Sequence, residues 1–255
     1  MTGMIKHLFT TLFSQKNSKR SPEILCVAPT GKAAARMENG STIHAVLKPV
    51  KGATGFYHNK DHPLIADMVI IDEASMIDIL LLTRLLEAIP PSAHVVLLGD
   101  RHQLAPVQAG SVFSEICSAP ALADDLSVLE YNFRSRGKTG IEALARAINK
   151  NDEQILEQIL TGNTFPDIVF DDVSRMHHHL LNGYTPFATE PSIEQALDRM
   201  DDFRVLCAHY SGRYGTLQIN HVCEKVLRSN VKFDIKSPYL NQIVMVTAND
   251  YKKSL

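Results

Sequence analysis

Asp72 and Glu73 follow an aliphatic run, Met68-Val-Ile-Ile71, and a second run, Val95-Val-Leu-Leu98, leads into Gly99-Asp100-Arg101-His102-Gln103. A carboxylate at a strand end can hold Mg²⁺ directly or through water, and an acid beside it can polarise an attacking water. The chemistry open to such a pair is metal-assisted displacement at phosphorus. Arg134, just after the apolar run 126–131, is the residue type that neutralises charge on a transferring phosphoryl group. On these residues alone the blander reading stays open: buried strands that end in solvated turns, and a surface arginine.

The elements that would have to position these groups are legible. Unbroken aliphatic runs read as parallel strands buried on both faces, and open α/β sheets place their chemistry beyond the carboxyl ends of such strands. Ser75 and the apolar run 76–89, stopped by Pro90-Pro91, predict a helix after the first acid pair. Upstream, Ile5, Leu8, Phe9, Leu12 and Phe13 have helical spacing, and Ile24-Leu-Cys-Val-Ala28 reads as a strand. Pro29 stops that strand, and Gly31 is expected to allow a tight turn into a helix that opens with Ala33.

Gly31-Lys32 is not a phosphate-cradling loop. That loop needs G-x-x-x-x-G-K-[ST], whereas Cys26 stands five residues before Gly31 and Ala33 follows Lys32. Thr30, Lys32 and the helix start could instead contact a nucleic-acid backbone. Thr42 fits a helix cap, and His44 reads either as a surface histidine or as a phosphate or base contact. Residues 48–63 read as a loop or small ribbon, in which Phe56 and Tyr57 either stack on bases or fill a local core. Residues 109–113 open a short helix, and 126–131 read as a strand.

In the second half, Ile141, Leu144, Ala145 and Ile148 predict an amphipathic helix, and residues 152–160 another. Residues 167–170 read as an edge strand, 203–208 as a buried strand, 214–227 as a helix and 242–247 as a further strand. Residues 176–186 read as a surface loop. Its three consecutive histidines, His177 to His179, are expected to be solvated rather than to ligate metal.

A chain of 255 residues with 45% hydrophobic content can bury one large core or two small ones. Its longest apolar runs fall short of the roughly 20 residues that span a bilayer. Cys26, Cys117, Cys207 and Cys223 have no metal-ligand spacing and predict reduced thiols in a cytoplasm. The net charge of −2 gives no global case for nucleic acid, yet residues 1–60 carry nine Lys/Arg against two Asp/Glu, and residues 61–130 carry two against eleven. The basic stretch meets phosphate or forms a solvated face.

In order, Ala28-Pro-Thr-Gly-Lys-Ala-Ala-Ala-Arg36, Ser41-Thr-Ile-His44, Val69-Ile-Ile-Asp-Glu-Ala-Ser-Met-Ile-Asp78, Leu97-Leu-Gly-Asp-Arg-His-Gln-Leu104 and Asn132-Phe-Arg-Ser135 resemble motifs Ia, II, III and IV of superfamily 1 helicases. They are most similar to the RecD-like family, the alpha subunits of exodeoxyribonuclease V. The resemblance is clear over residues 24–150 and weaker beyond. It implies an α/β fold with a RecA-like parallel sheet covered by helices on both faces, as a partial first domain over residues 1–132. A partial second RecA-like domain is implied over residues 133–255.

The same resemblance implies that Asp72 helps hold Mg²⁺ through water, Glu73 activates the attacking water, Gln103 senses the γ-phosphate and Arg134 contacts it. Pro29, Thr30, Gly31, Lys32 and His44 would lie near single-stranded DNA. ATP and Mg²⁺ are the implied cofactors, RecB-like and RecC-like subunits the implied partners. The implied activity is 5′-to-3′ DNA unwinding in recombination and double-strand break repair. The departures are equally specific. No G-x-x-x-x-G-K-[ST] occurs in the 255 residues, and residues 5–13 fit the helix that follows such a loop. Motifs V and VI are missing, His102 stands where an acid is more usual, and the segment between Met37 and Ser41 is short. The expectation is therefore a helicase-derived chain that does not turn over ATP by itself. The alternative is a non-catalytic DNA-binding or protein-interaction module of the same descent.

Overall fold

The structure, a computed structural model, describes residues 1–16, 20–50, 52, 55–104, 112–129, 139–162, 164–230 and 241. The chain divides into two compact units, Met1–Phe133 and Arg134–Leu255.

In the first unit, helix α1 (Thr2–Lys16) precedes strand β1 (Ile24–Ala28). A short helix α2 (Gly31–Ala34), strand β2 (Gly40–Thr42) and helix α3 (Ile43–Leu47) follow. Next come β3 (Met68–Ile71), α4 (Ile79–Ala88), β4 (His94–Leu97) and α5 (Val112–Ser118). The four strands form one parallel sheet in the order β2-β1-β3-β4. Every residue of β3 is buried, as its unbroken aliphatic sequence requires of a strand covered on both faces.

Alternation along the strands divides the core in two. Val27, Val69 and Ile71 face a layer made by Ile43 and Leu47 of α3, Leu82 and Leu85 of α4, and Phe113 of α5. Cys26, Ala28, Met68 and Ile70 face the other way, onto Ala33 and Ala34 of α2, Met37, and Ile5 and Phe9 of α1. At the amino ends of the strands Arg20 grips Asp67 with two contacts of 2.6 Å, and Asp67 also accepts the Glu23 amide at 2.9 Å. The Arg20 guanidinium and that amide hold the Asp67 carboxyl below the usual carboxylate range.

Several local expectations are corrected. Ser75 does not start the helix after the acid pair: residues Ala74–Met76 form a single 3-10 turn, and α4 begins later, capped by Asp78, whose Oδ1 accepts the Leu81 amide at 2.8 Å. Gly31 has no positive φ and no atom within 4 Å of an added Cβ, so the turn into α2 does not require glycine. Thr30 makes that turn, its Oγ1 accepting the Ala33 amide at 3.2 Å. Residues 126–129 are irregular rather than a strand, and 130–138 lie outside the described residues, as do 109–111 at the expected start of the helix observed as α5.

Among its described residues the second unit is helical: α6 (Thr139–Asn149), α7 (Glu153–Thr161), α8 (Met176–Ala188), α9 (Ile193–Asp202) and α10 (Thr216–Asn230). The expected loop over residues 176–186 is thus most of a helix. Leu180, Phe187 and Ala188 are its buried positions, spaced to bring one stripe inward. Phe187 and Ala188 pack against Ala196 of α9 and Leu227 of α10. Residues 167–170 form no strand; Asp167 instead caps α6 by accepting the Gly140 and Ile141 amides, and Val169 and Phe170 are exposed.

Residues 203–207 carry no regular secondary structure and pair with no strand among the described residues; Phe203 itself is extended. Their burial alternates, with Phe203, Val205 and Cys207 partly covered and Leu206 93% exposed. Phe203 lies edge-on to Tyr184 with ring centres 5.0 Å apart, where a Cβ on Gly183 would come within 2.3 Å of its ring. The expected strand at 242–247 lies outside the described residues.

Candidate functional site

Parallel strands bring their carboxyl ends to one side, so the register alone assembles the candidate residues. Ile71 pairs with Val27 on one side and Leu97 on the other, and Ala28 pairs with Thr42. Along that edge the strand exits therefore run from Thr42 and His44, through Pro29 to Lys32, to Asp72 and Glu73, and then to Asp100 through Gln103. At roughly 4.8 Å per strand, three spacings spread these groups over about 15 Å.

Asp72 continues the ladder past β3, its amide donating to the Val27 carbonyl at 2.9 Å. Its Oδ1 accepts the Glu73 amide at 2.9 Å, which fixes the carboxylate and leaves Oδ2 without a protein partner among the described residues. A half-buried carboxylate with one oxygen free is a fitting donor for a water of Mg²⁺, a hard cation that keeps several of its waters. Among the described residues, no group of three or more His, Cys, Asp or Glu forms a metal cluster.

Glu73 is left-handed, with φ 53° and ψ 40°, a conformation unfavourable for a residue with a side chain. The turn it makes is pinned to β4. The Ala74 amide donates to the Leu98 carbonyl, and the Leu98 amide to the Ile71 carbonyl, both at 2.8 Å. Gly99 sits so close to this turn that an added Cβ would lie 3.0 Å from the Phe113 ring and 3.1 Å from the Ser75 nitrogen. Ser75 is buried, and its hydroxyl has no hydrogen-bond partner among the described residues.

Beyond β4 the chain turns at Asp100, whose Oδ1 accepts the His102 amide at 2.9 Å and whose carbonyl accepts the Gln103 amide at 3.2 Å. Gln103 is exposed on this turn. Pro29 and Thr30 are half-buried, whereas Gly31 and Lys32 are exposed at the start of α2. Thr42 caps α3 as expected, accepting the Ala45 amide at 3.1 Å. His44 is exposed, its ring 5.7 Å from Phe56 in an edge-on contact. Phe56 is partly buried against the first core layer, while Tyr57 is 54% exposed. The pair thus divides between packing and surface. Arg134 lies outside the described residues.

Sequence reasoning missed Ser75 and Gly99 as the residues that join the two acidic strand ends. The only signal was glycine directly after an aliphatic run. It also missed a cavity of about 960 Å³ in the second unit, bordered by Asp172, Ser174, His177, Arg213 and Tyr214. The acids that border that cavity are engaged. Asp172 caps the turn at Ser174, and the adjacent Asp171 lies 2.7 Å from His179 Nε2.

The sheet and its acidic edge define an α/β domain, and the family described as AAA domain matches residues 1–109. Along most of its length the chain is similar in sequence to RecD subunits of the RecBCD enzyme. It is 30% identical to the RecBCD enzyme subunit RecD of Mycolicibacterium smegmatis over 91% of this chain and 47% of that one. The Buchnera aphidicola (subsp. Acyrthosiphon pisum) RecD aligns at 24% over 92% of this chain and 50% of its own length. A shorter match, 45% identical, joins 34% of the chain to 13% of the ATP-dependent RecD2 DNA helicase of Deinococcus radiodurans. The chain spans about half the length of the RecD relatives it matches. Bacteroides Pif1 bound to ssDNA overlaps 44% of this chain and 30% of its own, at 27% identity and a TM-score of 0.25, too slight an overlap to weigh further. Among the described residues, no helix is long and apolar enough to cross a membrane.

Proposed function

We propose that this chain supplies the acidic and DNA-facing part of an ATP-dependent 5′-to-3′ helicase subunit of the RecBCD type. Recombination and double-strand break repair would be its setting, and RecB-like and RecC-like subunits its partners. The carrying observation is the shared edge of the parallel sheet, where Asp72, Glu73 and the Asp100–Gln103 turn stand beside Thr30, Lys32, Thr42 and His44. In this reading Asp72 holds a water of Mg²⁺, Glu73 orients and deprotonates the attacking water, and Gln103 reads the γ-phosphate, with Arg134 contacting it. Residues 29–32 and His44 hold the DNA backbone, with the exposed Lys32 as the cation. Residues 1–132 and 133–255 are then parts of two RecA-like domains.

Without a G-x-x-x-x-G-K-[ST] cradle among its residues, the chain by itself binds ATP and Mg²⁺ weakly and does not turn ATP over. It acts alone as a DNA-binding module. Fluorescence anisotropy with a labelled single-stranded oligonucleotide tests the DNA half. Binding should weaken as salt rises, and Lys32→Ala should lower both the affinity and the salt slope, the latter by about one unit. Binding that ignores salt or Lys32 would remove motif Ia from the interface. Single-strand-stimulated ATP hydrolysis abolished by Glu73→Gln would show instead that the chain is competent alone.

A further inference from the structure

We propose that Tyr57 is a base-stacking platform on the single-stranded nucleic acid path, so that the strand-exit edge takes hold of a flat base as well as of phosphate. The inference rests on the reading of residues 29–32 and His44 as backbone contacts and adds a different kind of contact to it.

Phe56 and Tyr57 are neighbours with opposite placements. Phe56 packs against the first core layer, and its ring meets the His44 ring at 5.7 Å. Tyr57 is 54% exposed. One ring therefore fills the local core, and the other stands on the surface one residue away from the contact with His44.

The surface ring is held rigidly. Pro49 and Phe56 form an antiparallel bridge, the Tyr57 amide donates to the Lys48 carbonyl at 2.9 Å, and the His58 amide donates to the Leu47 carbonyl at 3.1 Å, which fastens the segment to the end of α3. Asn59 uses both ends of its side chain. Its Nδ2 donates to the Phe56 and Tyr57 carbonyls, each at 3.2 Å, and its Oδ1 accepts the Asp61 and His62 amides at 2.8 and 3.2 Å. Lys48, which ends α3, is left-handed with φ 57°, an unfavourable conformation for a residue with a side chain. Backbone strain and a fully bonded asparagine thus hold an exposed ring in place before any ligand arrives, which removes part of the ordering that binding otherwise requires.

The groups around the ring suit a nucleotide. His58 meets it edge-on at 5.0 Å, and His62 lies 5.4 Å away, tilted by 31°. Lys48 Nζ stands 5.8 Å from the ring centre, near the outer limit of a cation–π contact, on an exposed residue. A base can take the ring face while that ammonium turns to the adjoining phosphate. Lys60 is exposed in the same segment, beside the exposed acid Asp61. Stacking on an aromatic ring with cations at the backbone is the sequence-tolerant mode of single-strand binding, because every base has a π-face. An apolar protein partner would instead strip the Lys48 ammonium of water without pairing it.

Fluorescence anisotropy with a labelled oligothymidylate and an abasic strand of equal length tests this, because the abasic strand keeps the phosphates and lacks the bases. Tyr57→Ala should weaken oligothymidylate binding roughly five- to hundredfold while leaving abasic-strand binding and the salt slope unchanged. Tyr57→Phe should bind as the unaltered chain does. The chain contains no tryptophan, so Tyr57→Trp supplies a single reporter whose emission should be quenched by oligothymidylate and not by the abasic strand. Far-UV circular dichroism reports whether each variant keeps its fold, and Tyr57→Trp, which keeps an aromatic ring, serves if Tyr57→Ala does not. Weaker binding by Lys32→Ala with no change in Tyr57→Ala overturns the platform and leaves the backbone reading standing. Equal losses on both strands in Tyr57→Ala, or tryptophan emission indifferent to bound oligothymidylate, also overturn it. If the unaltered chain binds neither strand, the DNA path falls and the platform with it.

Discussion

Replacing Glu73 with glycine should make the protein more stable while removing an acid assigned to water activation. Glu73 has φ 53° and ψ 40°, and its side chain makes no capping bond that would offset that conformation. A left-handed L-residue costs about 1–2 kcal/mol, and glycine gives back about 0.5–1 kcal/mol through its greater chain entropy. The net expectation is a gain of about 0.5–1 kcal/mol. With a urea slope near 2 kcal/mol per molar, the unfolding midpoint of the first unit should rise by about 0.3–0.5 M. Glu73→Gln is the necessary companion, because Glu73 also adjoins the Asp72 carboxylate. If the glutamine variant gains as much as the glycine variant, charge repulsion and not backbone strain is being relieved. If the glycine variant loses stability, the left-handed turn is not a stored cost at all. The expected pattern is a gain for glycine alone, the signature of a site held in an unfavourable shape by its surroundings.

Gly99→Ala should act in the opposite sense, since its Cβ must displace the Phe113 ring and press on the Ser75 amide. A loss of about 1–3 kcal/mol in the same titration is expected, and an unchanged midpoint would mean that the two strand exits separate easily. In the second unit, the hydrogen bond from His179 holds the Asp171 carboxyl below the usual carboxylate range, with Asp172 and Arg175 assisting. A depressed carboxyl contributes stability above its unfolded value and loses it as the pH falls through the folded one. His179→Ala should therefore raise the Asp171 midpoint in a carboxyl NMR titration and narrow that acid window. An unmoved midpoint would assign the depression to the backbone and Arg175.

The sheet and its acids were legible because a buried parallel strand needs little context. Met68-Val-Ile-Ile71 and Ile24-Leu-Cys-Val-Ala28 are apolar on both faces and end where polar residues begin. The helix after Asp72-Glu73 was visible as an apolar run but its start was not. Ser75 has the chemistry of a cap, yet it is buried in a 3-10 turn, and Asp78 takes the role. Residues 176–188 misled because three histidines, Gly183 and Pro186 are weak helix formers, and packing of Leu180, Phe187 and Ala188 outweighs them. Residues 203–207 carry a strand's alternation, but a strand requires a partner, and pairing is not written in the local sequence.

The same distinction bears on the acid pair. Asp72 and Glu73 occur in a recognisable string, but their geometry is set by the neighbouring strand. Leu98 bonds to both Ile71 and Ala74, and Gly99 leaves room for Ser75 only because it has no Cβ. The Ser75 hydroxyl, buried without a partner among the described residues, adds an unsatisfied group beside a left-handed glutamate. Two local costs at one turn persist only where the surrounding core over-determines it, and that core joins β3, β4 and α5. The exit of β4 therefore does more than carry Gln103. Leu98 bonds directly to Ala74, beside Glu73, and Gly99 lies against Ser75, so the two acidic strand ends share one packed stretch of backbone as well as one edge.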